Sequence, residues 1–580
     1  MKKYLPLVLI LILAAILRLW NLDHAPNGLN ADEAAIGYNA YSLLQTGRDE
    51  HGVSWPLEFR SFDDFKPPVY FYIVLPFVKF LGLSVWAVRL PSALLGILSV
   101  YLLYLLSQFL FKDSQNNSLK LGIGKWKIDI SLLAAFLLAI SPWHLHFSRG
   151  GWEVNAATTF LLLGLVIFYR GLKHPLLFPL ASLSLVVCLY TYHSMRLVAP
   201  LLVIFLLLEF RKQLFVSKNI PYLVSSALLV SILLFPLVKQ TITGSSSARF
   251  SGVSIFADQG PLNYVEQQRR LSPQPNALIT KIKYNRYSAY TFDFLKNLVS
   301  HYSPDFLFIN GDAIARSRVP GFGQSYLILL PFFYLGLGFV LFSFKKSWAR
   351  FVLFWLLISP IAAALTFQSP HALRAQNMAI PFNLTIALGL IFAFDLIRKG
   401  LTSSLNFLKR TSHPATTKYV NLVETCGASL LLIVTLHSFG YYLNSYYYRY
   451  PRETPFAWQY GFDQLSDYLK DKQTTYDQII VTTSYDQPYI LLAFYLKYPP
   501  ALLQRELTFS QPDKFAFSTG TSFGKFIFKS IEPNDFKKPN TLIVVGREVI
   551  PTLKPIETIL YPSDQPAFRL YSTNQNIASR

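Results

Sequence analysis

Cysteine is nearly missing from this chain: Cys188 and Cys426 are the only two among 580 residues. Both sit inside apolar runs, which argues against a disulfide framework and against a cysteine-based metal site. Charge is also scarce. Only 15% of residues are charged and 52% are hydrophobic, against roughly 25% charged in soluble domains. A soluble protein of this length could not cover its surface with so little charge. Acid is scarcer than base, 32 residues against 53, which leaves a net charge of +21. That excess does not point to nucleic acid. The Lys and Arg residues lie mostly in short loops between apolar runs, the topology signal of membrane proteins, and no basic module interleaved with aromatics is visible. A phosphate-binding P-loop, a dinucleotide-binding glycine pattern and a His-Glu-x-x-His zinc motif are all absent.

What is present is a series of long apolar runs: 5–20, 86–111, 128–142, 155–170, 176–192, 197–209, 220–238, 323–344, 349–366, 378–397 and 420–443. They predict an α-helical polytopic membrane protein with about eleven spans. Residues 1–20 have a basic start and no small-residue cleavage site, so they read as an uncleaved first helix. A twelfth stretch, 69–83, is short and follows Pro67-Pro68. If Lys2 and Lys3 are cytoplasmic and 69–83 does not span, Lys112, Lys120, Lys125, Lys127, Arg170, Lys173, Arg211, Lys212, Lys218, Lys345, Lys346, Arg350, Arg398, Lys399, Lys409, Arg410 and Lys418 all fall inside. The positive-inside rule therefore makes 69–83 a re-entrant or interfacial helix and puts the N-terminus in the cytoplasm of a plasma-membrane protein.

This topology divides the chain into a membrane domain, 1–444, and an extracytoplasmic domain, 445–580. Two large outer loops, 21–85 and 239–322, belong to the first. The tail alternates helix (454–469), strand (478–483), helix (487–496) and strands near 525–531, 541–545 and 569–571, the pattern of a small α/β domain. The inside loops are too short to hold a nucleotide-binding domain, so any sugar donor must be presented in the membrane.

Chemistry is concentrated on the outer side. Asn30-Ala31-Asp32-Glu33 opens a helix that ends near Gly47. Asn30 is a good N-cap and Glu33 stands at the capping-box position, while acids suit the first turn of any helix. Both readings hold together: Glu33 caps and Asp32 is a candidate base at the membrane surface, on an apolar helix expected to lie in the interface. Lys66 precedes a helix start with prolines, where free N–H groups favour anions; the competing role is an interfacial lysine reaching for head groups. Arg149 and Glu153 lie at the bilayer edge, where ionisable groups are costly and usually functional, though Glu153 could also serve as a helix cap. Tyr190, Tyr192, His193 and Arg196 share one short turn, His301 and Asp305 lie in the long loop, and His371, Arg374 and Asn377 share another turn. Each alone is weak, since an isolated interfacial His or Tyr is more often an anchor. Together they could converge on one cavity.

The first 160 residues resemble the polyprenyl-phosphate-dependent glycosyltransferases with the GT-C fold, which include the protein O-mannosyltransferases of glycosyltransferase family 39 and the aminoarabinose transferases that modify lipid A. The resemblance is carried by Ala31-Asp32-Glu33, Trp55-Pro56, Lys66-Pro67-Pro68 followed by Tyr70, and Arg89-Leu90-Pro91-Ser92-Ala93-Leu94, in that order. Ser303-Pro304-Asp305-Phe306-Leu307-Phe308, His371-Ala372-Leu373-Arg374 and the tail match bacterial members in outline. It implies inverting transfer of a sugar from a polyprenyl-monophosphate carrier to an acceptor hydroxyl on protein, lipid or envelope glycan. It implies Asp32 as catalytic base with Glu33 beside it, Lys66 on the carrier phosphate, and Glu153 as a second, looser acidic match. Arg149 and Arg374 would help hold the phosphate, and Tyr70, His193, Arg196, His301 and His371 are further candidates for binding substrate. No metal ligand is assigned and no cofactor is required; a divalent metal would be compatible but is not indicated. The rival reading is a lipid or glycan transporter or flippase. Such proteins place ionisable groups near the midplane and often show repeated halves, and neither feature is evident here.

Overall fold

The computed structural model describes residues 4–574 apart from 63, 113–118, 124–125, 244–251, 410–413, 513–517, 549 and 551–552. Lys2, Lys3, Lys125 and Arg410, which enter the readings above, lie outside the described residues. Every one of the eleven apolar runs has a helix at its centre. By length and composition, six helices are able to cross a membrane, or seven when Ile130–Ile140 and Pro142–Arg149, which meet at 55°, count as one bent span. The bend falls at Pro142, in the first turn of the second piece, where a proline fits but cannot donate to the turn before it. Leu5–Leu19, Pro175–Leu189 and Leu327–Phe342 are apolar but shorter, and Met195–Glu209 has 15 residues.

Helices Ile220–Thr243 and Pro414–Asn444 turn large apolar side chains outward, among them Val224, Leu228, Ile232 and Phe235 on the first and Leu430 and Ile433 on the second. A soluble protein could not carry such faces, whereas lipid accepts them. With the apolar helices, they describe a multi-pass membrane protein. Val69–Leu81 has 13 residues and is among the short apolar helices.

One end of the helical bundle carries the segment 21–85, the segment 252–326 and the C-terminal region. The last contains a seven-stranded mixed sheet in the order Glu557–Leu560, Pro566–Ser572, Thr541–Val545, Gln478–Thr482, Phe526–Lys529, Gly520–Phe523, Thr508–Phe509. Gln478–Thr482 is central and runs parallel to both neighbours, with Ile480 opposite Ile543 on one side and Ile527 on the other. Helices Phe462–Lys472 and Pro488–Tyr495 pack beside it.

The helix Ala31–Thr46 differs from its expected setting. Its apolar residues are covered by protein rather than presented to lipid. Ala34, Ile36, Tyr38 and Leu43 share a core with Phe71 and Val74 of the Val69–Leu81 helix and with Phe462, Ile490 and Leu491 of the C-terminal region. A fully buried side chain of this size contributes about 1.5–3 kcal/mol, so this shared core binds the C-terminal region firmly over the first large loop.

Candidate functional site

The site is built on the first turn of Ala31–Thr46. Asn30 is extended and its side chain accepts a hydrogen bond from Glu33 N at 3.1 Å, while the Glu33 carboxylate accepts from Asn30 N at 3.3 Å, so the expected capping box is formed. Glu33 is fully buried and does more than cap. It receives Arg89 Nε at 2.8 Å, Arg89 Nη2 at 3.0 Å and Gly151 N at 2.7 Å. Arg89, equally buried, also donates to the carbonyls of Leu22 and Pro26. Held in this way, Glu33 has no oxygen turned to solvent. Its neighbour Asp32 does: its side chain keeps 31% of its exposure.

Lys66 meets Asp32 there. A short hairpin brings it in, with Phe59 opposite Lys66 and Ser61 opposite Asp64. The ammonium is buried, forms an ion pair with Asp32 and lies 5.4 Å from the centre of the Phe62 ring. Burial pulls its proton affinity down, but the carboxylates of Asp32, Glu153 and Asp64 outweigh that and hold it above the ordinary lysine value. Glu153, in the first turn of Glu153–Gly171, is therefore within electrostatic reach of Lys66 and is itself 8% exposed. The helix start after Pro67-Pro68 is less open than expected, because Val69 N donates to the Tyr190 carbonyl at 3.2 Å.

A cavity of about 340 Å³ is lined by His193, Arg196, Thr366 and Arg374. His193 Nε2 sits 3.0 Å from the carbonyl of Phe65, the residue before Lys66, and Arg374 Nη1 donates to Thr366 Oγ1 at 2.7 Å. His193 thus links this cavity to the residue before Lys66, and two guanidinium groups from distant turns of the sequence, Arg196 and Arg374, share its lining.

Other candidates are not brought to this place. Arg149 is fully buried and donates to the carbonyls of Leu17, Trp20, Asn21 and Ala25 at 2.7–3.2 Å. It ties off the end of the first helix, where the last carbonyls lack partners, and is not open to a phosphate. Tyr70 is buried and its hydroxyl donates to the Val88 carbonyl at 2.8 Å, anchoring one helix to the next. His301 is buried too: Nδ1 lies 2.8 Å from the Asn297 carbonyl and Nε2 accepts from His371 N at 3.1 Å, and burial pushes its pKa down to about 4. His371 lies with Nδ1 3.4 Å from Asp312 Oδ2, and the same oxygen accepts from Ala372 N at 2.6 Å. These groups shape the turn that carries Arg374. Among the described residues there is no cluster of three or more His, Cys, Asp or Glu side chains able to hold a metal ion.

Sequence reasoning did not assign Arg89 as the partner of Glu33, although Arg89 left a signal, a charge near the start of an apolar run. Asp312, which meets His371, left none.

Set against known proteins, residues 65–238 match a family model described as dolichyl-phosphate-mannose-protein mannosyltransferase. A putative mannosyltransferase of Bacillus subtilis (strain 168), YycA, is 28% identical over 250 residues, covering 42% of this chain and 33% of the relative. The chain thus spans about a third of the length of that relative. ArnT from Cupriavidus metallidurans in the apo state superposes with a TM-score of 0.52 at 12% identity, over 99% of this chain and 98% of that one. Its complex with undecaprenyl phosphate gives 0.51 at 10% identity with the same coverage. Residues 65–238 thus resemble a mannosyltransferase family, and the whole chain shares its overall fold with ArnT.

Proposed function

We propose that this protein transfers a sugar from a polyprenyl-monophosphate carrier to an acceptor hydroxyl, at the outer face of the plasma membrane, by a single inverting displacement. The N-terminus would then be cytoplasmic and the C-terminal region, a separate α/β domain, extracytoplasmic. The observation that carries this reading is the Asp32–Lys66 pair, with Asp32 partly open to solvent and His193, from a cavity lined by two guanidinium groups, on the carbonyl of Phe65. The undecaprenyl phosphate seen in the similarly folded ArnT supports the carrier class.

The chemistry follows from the charges. The acceptor oxygen attacks the anomeric carbon, its proton passes to Asp32, and the bond from that carbon to the carrier phosphate breaks. General-base help of this kind is worth roughly 10²–10⁴-fold. The departing polyprenyl phosphate gains one negative charge and is stable without protonation, so cations serve it better than an acid. Lys66 is the cation paired with Asp32, and Arg196 and Arg374 are the guanidinium groups of the cavity that His193 borders. Before the donor arrives, Lys66 is partnered by Asp32. The donor phosphate takes over the ammonium, which releases the Asp32 carboxylate to accept a proton only when the donor is in place. Glu33 acts through position: locked to Arg89, it fixes the helix turn that presents Asp32. Glu153 keeps Lys66 charged.

The test uses purified full-length protein in nanodiscs, a panel of radiolabelled undecaprenyl-phosphate sugars and a crude envelope fraction as acceptor. Transfer by wild type that drops at least about 100-fold in a folded Asp32→Asn protein is the expected result. Full transfer by Asp32→Asn would exclude Asp32 as base. A well-folded wild type that consumes no donor would instead favour a transporter.

A further inference from the structure

The C-terminal region reaches the site through one strap. Gln459 sits in the left-handed backbone region (φ 53°) and is 5% exposed. Its Oε1 accepts from Ala31 N at 2.6 Å, and its Nε2 donates to the carbonyl of Asp486. Asp486 is therefore two hydrogen bonds from the residue that precedes Asp32 in the first helical turn. The next residue, Gln487, is again in the left-handed region (φ 48°), and its side chain donates to Ser518 O at 3.1 Å. The turn is thus held from both sides while the Asp486 side chain stays open to solvent. Among the described residues, no hydrogen bond or ion pair takes up its carboxylate. Surrounding protein raises its pKa; Arg316 opposes, Asp32 adds to the rise and Lys66 opposes. The carboxylate accordingly lies within electrostatic reach of both partners of the Asp32–Lys66 pair.

We infer that Asp486 binds hydroxyl groups of the sugar carried by the donor, so that the C-terminal region supplies part of the sugar site. This rests on the transferase reading above. In that reaction the sugar ring lies between the phosphate on Lys66 and the acceptor hydroxyl handed to Asp32, and the strap from Ala31 through Gln459 holds Asp486 within electrostatic reach of both Asp32 and Lys66. A carboxylate repels a phosphate, so the carrier head group is not its partner. Its two oxygens can accept from neighbouring hydroxyls of one ring in charge-assisted hydrogen bonds. The strap and the left-handed turn explain how a residue from the tail is kept at a fixed height over the first loop.

The experiment measures binding, not turnover, with the full chain in nanodiscs. Wild type, Asp486→Asn and Asp486→Ala are titrated with bare undecaprenyl phosphate and with undecaprenyl phosphate carrying mannose or glucose, and thermal unfolding checks the fold. The expected result is unchanged affinity for the bare carrier and about tenfold or greater loss for the preferred sugar-bearing carrier in the variants, the size of a lost hydrogen bond to a charged group. Equal loss for both lipids, or no loss for either, overturns the assignment. Wild type that binds neither kind of carrier overturns the polyprenyl-phosphate reading itself and this inference with it, a result distinct from the others.

Discussion

Glu33 and Arg89 form a two-pronged ion pair, Nε to Oε1 at 2.8 Å and Nη2 to Oε2 at 3.0 Å, with neither side chain exposed. The pair joins the first helical turn of the first large loop to the start of the Val85–Leu110 helix. It also fixes which of two adjacent carboxylates faces solvent.

Breaking this pair from one side leaves a buried charge without its partner, at a cost of about 3–5 kcal/mol. Arg89→Met is therefore expected to lower the unfolding temperature in detergent strongly and to abolish transfer through loss of position. Glu33→Gln strands Arg89 in the same way. A Glu33→Gln protein with wild-type stability and wild-type transfer would show that the pair positions nothing.

Two arginines on the same end of the bundle are expected to behave oppositely. Arg374 lines the His193 cavity, with Arg196, so under the proposed function Arg374→Gln should weaken binding of undecaprenyl phosphate by about tenfold or more and leave the fold intact. Arg149 gives its donors to carbonyls at the end of the first helix, so Arg149→Met should lower the unfolding temperature and leave carrier affinity unchanged in the folded fraction. Isothermal titration and thermal unfolding on the same preparations separate the two. The reverse pattern would assign the phosphate to Arg149.

The contrast also shows what a sequence can and cannot reveal. The Asn30–Glu33 box is local, spans four residues and was legible. So were the strand Thr541–Val545, a run of buried residues, and the helix Pro488–Tyr495 after its turn. Arg149 and Tyr70 carried a true signal, a polar group at the edge of an apolar run, but the sequence does not say whether its partner is a ligand or a carbonyl. Here it is a carbonyl. Gln459 and Asp486 carried no signal, because their meaning comes from the 428 residues that separate Gln459 from Ala31. The burial of Ala31–Thr46 was hidden for the same reason: its apolar faces look alike whether lipid or a distant part of the chain covers them.

Helices Leu330–Phe342 and Ala379–Lys409 cross with Gly336 against the Thr385 carbonyl and Gly389 against the Phe332 carbonyl. A methyl group at either glycine would overlap backbone, which cannot swing aside as a side chain can. Gly389→Ala and Gly336→Ala should each lower the yield of folded protein in the membrane and its unfolding temperature. Gly338, with open space around it, is the control, and Gly338→Ala should behave as wild type. Equal tolerance at all three positions would mean the helices do not approach this closely.

Glu50 gives the protein a pH-dependent link between the first large loop and the C-terminal region. Asn39 Nδ2 donates to its Oε1 at 3.0 Å and the Tyr489 hydroxyl to its Oε2 at 3.3 Å. Burial raises its pKa from 4.5 to about 7, with Asp49 adding to the rise while the Asn39 bond, the Tyr489 bond and Lys66 oppose it. The folded protein thus keeps this proton between pH 4.5 and about 7, where the unfolded chain has lost it. The contribution to stability is complete below pH 4.5 and declines as pH rises towards about 7, at most about 1.4 kcal/mol per pH unit. Glu50→Gln keeps the neutral shape and removes the proton, so its unfolding temperature should gain on wild type as pH rises through that window and match it near pH 4.5. His51, whose Nε2 lies 3.9 Å from Glu50 Oε1, is kept in both proteins, so the difference between the two curves belongs to Glu50. Parallel curves across the window would mean that Glu50 is ionised in the fold, and that the link to Tyr489 is made by a charged acceptor.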